Sequence, residues 1–410
     1  MVSLLQICMA LNSYHISINQ VYEKGHSMGI LMKKLSEFVK KETVLCIAVM
    51  LAVLSMFVVV PDKAYIDYID FRTLALLFCL MAVMEGCKQL GFFEWIAHNL
   101  LQRVKGAGVL IAILVFLCFG FGMLITNDVA LITFVPFTFI VLKLVESKNR
   151  KINPLPVVAM QTIAANLGSM LTPLGNPQNL YLYGKAGLSV PKFMLLMAPY
   201  AGTAFAMILI WCILQGRKFP GELSLTLGDK VSLKGKKARL MMYLVLFMLS
   251  LLTILHVLPY PVTLIITFMV VLLADCKVLA KVDYSLLITF VGLFIFIGNM
   301  GRIPVFYDFL SGIVAGNEVY VAIGVSQFIS NVPAALLLSG FTDDFRSLLI
   351  GVNLGGMGTL IASMASLISY KLLVAEIPEK KGKYLGYFTL YGICFLVVLV
   401  IIYICVGTVC

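Results

Sequence analysis

Apolar runs of about twenty residues recur along this chain from Thr43 almost to its C-terminus, and no other feature restricts the fold as severely. A hydrocarbon core about 30 Å thick is crossed by roughly 20 helical residues. The alternating ten-residue strands of a membrane barrel are not found in the sequence, so the spans must satisfy their backbone groups as helices. Composition agrees: 61% of the 410 residues are hydrophobic and only 12% are charged. The mean hydropathy of +1.01 lies well outside the soluble globular range.

The net charge of +11 does not point to nucleic acid. No stretch combines dense Lys and Arg with interleaved aromatics, and in a membrane chain such charge marks cytoplasmic loops. The ten cysteines are scattered through apolar spans without a CxxC pair or a His-Cys cluster, and read as small core side chains. Residues 1–30 contain a short apolar start too short to span and without the layout of a signal peptide, so this stretch is expected to be disordered, or untranslated if the start lies at Met28 or Met32. From Met32, "MKKLSEFVKKE" reads as an amphipathic segment on the inner membrane surface.

One alternating arrangement accounts for most of the basic residues. Placing 24–42, 87–105, 143–153, 216–239, 274–283 and 371–383 in the cytoplasm collects 25 of the 31 Lys and Arg there. The N-terminus is then inside the cell membrane and the C-terminus outside. Both flanks of the run that contains Thr126, Asn127 and Asp128 become cytoplasmic, so this segment enters and returns. Two full spans would put the three residues at the outer surface, whereas a re-entrant hairpin would put them inside the membrane; charge counting does not separate the two.

The chain also resembles itself. "IDFRTLALLFCLMAVMEG" (69–86) aligns with "VDYSLLITFVGLFIFIGN" (282–299), "TNDVA" (126–130) with "SNVPA" (330–334), and "NLGSMLTPLGNPQNL" (166–180) with "NLGGMGTLIASMASL" (353–367), in the same order. The charge assignment puts Asp70 outside and its counterpart Asp283 inside, so the repeats cross in opposite senses, as in secondary transporters. The expected fold is therefore an all-α polytopic membrane protein of about 10–12 helical segments, in two inverted-topology repeats with re-entrant hairpins and broken helices. An N-terminal segment (1–42) precedes the first half (43–215), a basic cytoplasmic linker (216–239) and the second half (240–410).

The repeated polar blocks carry the chemistry, because a ligand in mid-membrane needs backbone groups freed by a helix break. Thr126 and Asn127 cap one apolar helix and Ser330 and Asn331 cap another, each exposing orphan N–H groups and a positive dipole end. Pro173, Gly175 and Pro177 break a span, after which Asn176 caps a half-helix. Gly355, Gly356 and Gly358 break its counterpart more gently, letting backbone carbonyls open toward a cation. Asn166 and Asn353 are equivalent, as are Thr172 and Thr359; Ser363 completes the second break. The plain alternative is that the glycines serve close helix packing and the polar residues cap ordinary loops.

Asp128 has no acidic counterpart, since Val332 stands in its place. A carboxylate in mid-membrane must be protonated, paired with a cation or set in a wet cavity, so Asp128 is either a titrating group or cation ligand, or a surface helix cap. Asp128, Asn127 and Asn331 are the candidate sodium ligands. Glu85 sits beside Lys88 and reads at least as readily as an interfacial ion pair. His98 and His256 lie near span ends and are not expected to be ligands.

On "TNDVALITFVPF", "NLGSMLTPLGNPQNL", "SQFISNVPAALLL" and "NLGGMGTLIASMASLI" the chain resembles, over roughly residues 43–410, the citrate-transporter-like permeases of the ion transporter superfamily, with the related arsenite permeases, sodium/proton antiporters and divalent anion:sodium symporters. The resemblance implies a scaffold domain, a transport domain with two hairpins and two broken helices, a homodimer, and elevator-like motion. The family's sodium-coupled carboxylate carriers have Ser-Asn-Thr at both hairpin tips; this chain has Asp128 and Val332 in place of the threonines, which resembles the arsenite and antiporter branches.

The function expected is ion-coupled secondary transport of a small anion or oxyanion. Asp128 would carry the coupling proton or sodium, with Asn127, Asn331, Thr172 and Thr359 orienting the anion. No cofactor beyond that ion is expected. The partners are the anionic substrate, the coupling ion and the lipid bilayer, with no nucleic acid. Sodium/proton exchange without an anion is the alternative. A membrane-embedded enzyme would need paired intramembrane carboxylates or a His-rich metal cluster, and neither is legible. No P-loop is present, so the energy comes from a gradient.

Overall fold

Helices that must bury their own backbone groups dominate the computed structural model, which describes residues 42–101, 104, 106–146, 152–219, 233 and 235–407, with Ser36, Phe38 and Val39. The apolar start at 1–30, nearly all of the amphipathic segment from Met32 and most of the linker 216–239 lie outside the described residues. The helices are α1 (Thr43–Met56), α2 (Ala64–Asp67), α3 (Phe71–Gln89), α4 (Phe92–Leu101), α5 (Ala107–Leu124), α6 (Asn127–Glu146), α7 (Pro154–Ser169), α8 (Pro177–Lys185) and α9 (Val190–Gly216) in the first half. The second half has α10 (Lys237–Ile254), α11 (Tyr260–Leu279), α12 (Tyr284–Gly301), α13 (Pro304–Val314), α14 (Glu318–Ile329), α15 (Asn331–Leu338), α16 (Phe345–Gly355), α17 (Met364–Glu376) and α18 (Lys381–Gly407). There is no strand among the described residues. The chain is an all-α polytopic membrane protein, divided into more helices than its spans because several spans are interrupted.

Seven described helices are long and apolar enough to cross a bilayer, and two further pairs, α3/α4 and α13/α14, qualify together but bend by 55° and 108°. Their outer surface is apolar: Leu195 is 75% and Leu273 80% exposed, a surface that only lipid covers without cost. Local chemistry sets the starts. Asp70 accepts the Thr73 N–H at 2.9 Å to open α3, and its repeat counterpart Asp283 accepts the Leu286 N–H at 3.0 Å to open α12. Proline stands in the first turn of α7, α8, α9, α11 and α13, where its missing N–H is not needed.

Long-range contacts sort the helix ends onto two faces. Lys236 Nζ donates to the Leu90 carbonyl at 3.2 Å, Arg239 pairs with Asp275 at 4.0 Å, the start of α5 at Gly108 lies against the end of α9 at Gly216, and Lys143 pairs with Glu376 at 2.8 Å. These contacts gather on one face segments that charge alone grouped together. On the other face Arg302 pairs with Asp62 at 2.8 Å, Arg72 donates to the Thr253 carbonyl at 3.3 Å, and the Tyr183 hydroxyl donates to the Ile254 carbonyl at 3.1 Å. Helix α3 starts at this second face, whereas its counterpart α12 follows the end of α11 at the basic one, so the repeats are inverted.

Within each repeat an antiparallel hairpin packs on an interrupted span: α5/α6 on α7 and α14/α15 on α16. The α5–α7 contact is close because glycines face backbone. A Cβ on Gly168 would stand 2.1 Å from the Phe119 carbonyl oxygen, and one on Gly122 would stand 2.7 Å from that of Ala165. Neither neighbour is a movable side-chain tip, so Gly168→Ala is expected to cost at least about 1–3 kcal/mol through forced helix separation. The purified variant should show a lower melting midpoint and yield. Gly120→Ala, in the facing helix α5 but with open space where its Cβ would stand, should match wild type.

Candidate functional site

Four helices begin at one narrow cleft. Asn127 and Asp128 open α6, Asn176 and Pro177 precede and open α8, Asn331 and Val332 open α15, and Ser363, Met364 and Ala365 precede and open α17; Leu286 of α12 closes the ring. Each helix start carries about half a positive charge; at α6 the first N–H groups are already taken, that of Asn127 by the Gly175 carbonyl, that of Asp128 by Asn127 Oδ1 and that of Val129 by Thr126 Oγ1. The side chains of Asn176, Ser330 and Ser363, at the N-cap positions of α8, α15 and α17, do not cap these helices. No Lys or Arg lines the cleft.

Repeat symmetry holds the two halves of the cleft in the same way. At the first tip the Asn127 N–H donates to the Gly175 carbonyl at 3.2 Å; at the second the Asn331 N–H donates to the Ala362 carbonyl at 2.9 Å. Gly175 and Ala362 are equivalent in the repeat, as are Asn127 and Asn331. Thr172 and Thr359 likewise donate to the equivalent carbonyls of Met123 and Gln327, the latter at 3.1 Å. The residues before the two tip asparagines, Thr126 (φ 122°) and Ser330 (φ 75°), are both in left-handed territory that non-glycine residues avoid. Such conformations cost on the order of 1–3 kcal/mol and persist where surrounding contacts enforce them.

The first tip lies below the surface. At its level α8 begins, and nine residues later, about 13 Å along, α8 ends at the face where Tyr183 meets Ile254. Helix α8 packs on α3, α15 and α16 rather than folding back along α7, so the tip cannot be at that face. The tip is set back from that face by the length of α8, while α5 and α6 are each long and apolar enough to cross a bilayer.

Cross-repeat hydrogen bonds join the halves. Asn166, 5% exposed, accepts from Asn127 Nδ2 and Ser363 Oγ, both at 2.8 Å, and donates to Ser366 Oγ at 3.2 Å. Its equivalent Asn353 donates to Asn179 Oδ1 at 2.7 Å, and Asn179 is the repeat partner of Ser366. Asn179 and Ser366 were not among the expected site residues. Their signal was present as a polar pair at matching places in the third repeated block.

Several expected residues are placed differently. The Thr172 and Thr359 hydroxyls donate to hairpin carbonyls and do not line the cleft. The carbonyls expected to open toward a cation at the glycine break are also occupied: Gln327 Nε2 donates to Gly355 at 2.9 Å and to Met357 at 3.0 Å. Gly356 instead leaves room for Asn331, whose Nδ2 would be 2.9 Å from a Cβ there. Gly175 is required by packing, since a Cβ on it would stand 2.0 Å from the Ser169 carbonyl oxygen. Glu85 pairs with Lys88 at 3.5 Å and Gln89 at 3.0 Å, away from the cleft.

Asp128 lines the cleft half-buried. Its N–H is held by Asn127 Oδ1 at 2.9 Å. Among the described residues no ion pair or hydrogen-bond donor reaches its carboxylate; the charge that bears on it is a second acid, Asp283 at the start of α12. No group of three or more His, Cys, Asp or Glu that could hold a metal occurs among the described residues. A second, larger cleft opens at the far face, where Arg72 and Thr73 of α3 meet Tyr183 and Lys185 of α8.

Known proteins with similar sequences give this architecture its class. Residues 28–343 match the citrate transporter family. An uncharacterised transporter of Methanocaldococcus jannaschii is 33% identical over 74% of this chain and 81% of its own. The inner membrane protein YbiR of Escherichia coli is 31% identical over 78% of this chain and 84% of its own. The silicon efflux transporter LSI3 of rice, Oryza sativa subsp. japonica, is 33% identical over a shorter stretch, 38% of this chain and 31% of its own. With inverted hairpins and broken helices meeting at a buried polar cleft, and a family match over most of its length, the chain belongs to the citrate transporter family and is a multi-pass membrane permease rather than an enzyme.

Proposed function

We propose that this permease moves a small anion or oxyanion across the cell membrane by secondary active transport, with Asp128 carrying the coupling proton or sodium. The observation that carries the reading is the convergence of four helix N-termini on one cleft without a Lys or Arg side chain. Their dipoles favour negative charge, while the Asp128 carboxylate opposes it until neutralised. Coupling then follows from charge: a proton or sodium on Asp128, with Asn127 and Asn331 as neighbouring sodium ligands, makes entry of the anion less costly. The similarity to a silicon efflux transporter adds a weak oxyacid to the candidates. In this reading the basic face is cytoplasmic, with the N-terminus inside and the C-terminus outside.

Asymmetry between the repeats supports an elevator-type exchange. Leu286, one turn into α12, lines the cleft, whereas its equivalent Thr73 in α3 lines the far cleft beside Leu180 and Tyr183. The site is thus displaced toward the basic face, and exchanging the roles of the repeats would bring Thr73 over it. In a background without the native cysteines, Leu286→Cys with Ala365→Cys is expected to cross-link in the present arrangement. The cross-link should stop transport until reduced. Undiminished flux through a fully cross-linked protein would rule out the motion.

The function itself is tested in proteoliposomes under imposed proton or sodium gradients, with labelled oxyanions and carboxylates. Gradient-driven accumulation of an anion is expected. The unpaired Asp128 also suits sodium/proton exchange, and a sodium-driven change of internal pH with no anion present would favour that second reading.

A further inference from the structure

Each interrupted span leaves carbonyl oxygens at its break, and in both repeats a side-chain amide sits between two of them. In the second repeat Gln327 Nε2 donates to the Gly355 and Met357 carbonyls at 2.9 and 3.0 Å, with the Ile323 carbonyl of its own helix at 3.2 Å. In the first, Asn179 Nδ2 donates to the Ser169 and Thr172 carbonyls at 3.1 and 3.3 Å. The two amides are not repeat equivalents: by the alignment Gln327 answers to Met123 and Asn179 to Ser366. The arrangement recurs although the residues that make it do not, so what the repeats share is the bridging of break carbonyls by an NH2 group. Gln327 is fixed in this orientation, because its Oε1 accepts the Thr359 N–H at 2.9 Å and Nε2 is left to face the carbonyls. Gly358, at φ 110°, makes room for it, since a Cβ there would stand 2.5 Å from Gln327 Oε1.

Carbonyls freed at the end of a half-helix carry the negative end of its dipole, and they are what a broken span offers to a monovalent cation. Gln327 Nε2 stands within 3.2 Å of three carbonyl oxygens, yet it brings only two hydrogens and no full charge. A desolvated cation does the same work as one small positive centre shared by several oxygens. Gln327 is half-buried and Thr359 beside it is exposed, so the second break is open to water. Resting on the transport reading above, we infer that Gln327 is a cation-specificity residue: its amide stands in for a monovalent cation at the second break, as that of Asn179 does at the first. The broken spans then keep their shape without a bound ion, and no carbonyl held by these amides takes part in ion coupling.

The test measures the melting midpoint and radiolabelled sodium binding of the purified full chain in detergent, with sodium exchanged for choline at constant ionic strength. Asp128→Asn serves as the background, because it removes the charged sodium ligand of the cleft. On it, Gln327→Met installs the residue found at the equivalent place of the first repeat and removes the amide at similar length. Gln327→Glu keeps the shape and the acceptor for Thr359 but turns a second oxygen toward the carbonyls. With Gln327 in place the background should bind no sodium and melt at the same temperature in both salts. Gln327→Met should melt lower in choline and regain about 2 °C or more in sodium, rising with sodium concentration as mass action requires. Gln327→Glu should respond more strongly, since its charge adds to that of the carbonyls. An equal loss in sodium and choline for both variants would make the amide a structural brace and overturn the proposal. So would sodium binding by the background that Gln327→Met leaves unchanged, or failure of both variants to fold even in sodium, which should replace the amide. Binding is read without flux, so the two readings fail separately: a sodium shift without gradient-driven transport sinks only the transport reading, and ion-coupled transport without a shift sinks only the role given to Gln327.

Discussion

Asp128→Asn is expected to reduce gradient-driven transport in proteoliposomes to the level of empty vesicles, or to leave a residual flux that no longer responds to the proton or sodium gradient. The substitution conserves volume and leaves the backbone contacts of the tip intact, since Asn127 Oδ1 holds the N–H of residue 128 and not its side chain. What it removes is the charge. An ionised carboxylate at the junction of four helix starts attracts a proton or a sodium ion and repels an anion. The asparagine does neither, so the site loses its link to the gradient while its shape persists. Because the carboxylate has no described partner and faces the like charge of Asp283, the ligand-free variant should be at least as stable as wild type. Loss of function with retained stability is therefore the expected pair of results. An Asp128→Asn protein with wild-type rate and wild-type ion dependence would remove Asp128 from the mechanism.

Asn166→Ala has the opposite signature, with stability and function falling together. Among the described residues Asn166 is the side chain that holds the first hairpin tip through Asn127, and the second broken span through Ser363 and Ser366, at 2.8, 2.8 and 3.2 Å. Truncation leaves three buried polar groups without this partner, at about 1 kcal/mol or more each. A loss of about 3 kcal/mol would lower the melting midpoint by roughly 5 °C or more. Transport should fall too, because the two half-sites are no longer held together. Asn353→Ala removes the repeat-equivalent residue but should cost less at the repeat junction. Its Oδ1 is already unpartnered, and only its Nδ2 bond to Asn179 crosses between repeats. Equal losses from the two substitutions would mean that the asymmetry of the site is not energetically real.

Much of this site was legible before any coordinate. The alignment that paired Thr126-Asn127-Asp128 with Ser330-Asn331-Val332 and residues 166–180 with 353–367 anticipates which backbone hydrogen bonds recur, down to Gly175 and Ala362 as equivalent acceptors. Charge distribution anticipated which loops share a face, as the Lys236–Leu90, Arg239–Asp275 and Lys143–Glu376 contacts bear out. The roles of individual polar side chains were not legible in the same way. Thr172 and Thr359 looked like ligands because they are hydroxyls in broken spans, yet hairpin carbonyls 49 and 32 residues away in the chain take them. The glycine-break carbonyls looked open, yet Gln327 closes them.

The sequence by itself determined the helices, their interruptions and the two-fold repetition, because hydropathy, proline, glycine and capping residues act over a few neighbours, and repetition is visible to comparison. It also determined that one half-site is acidic and the other is not. The tertiary structure decided that four helix starts meet at one cleft, that Asn166 binds both repeats, and which donors and acceptors are left over. Those outcomes depend on distances between residues up to 200 positions apart, and a hydrogen bond is made or lost within about half an ångström. No local property of the chain encodes a margin that small.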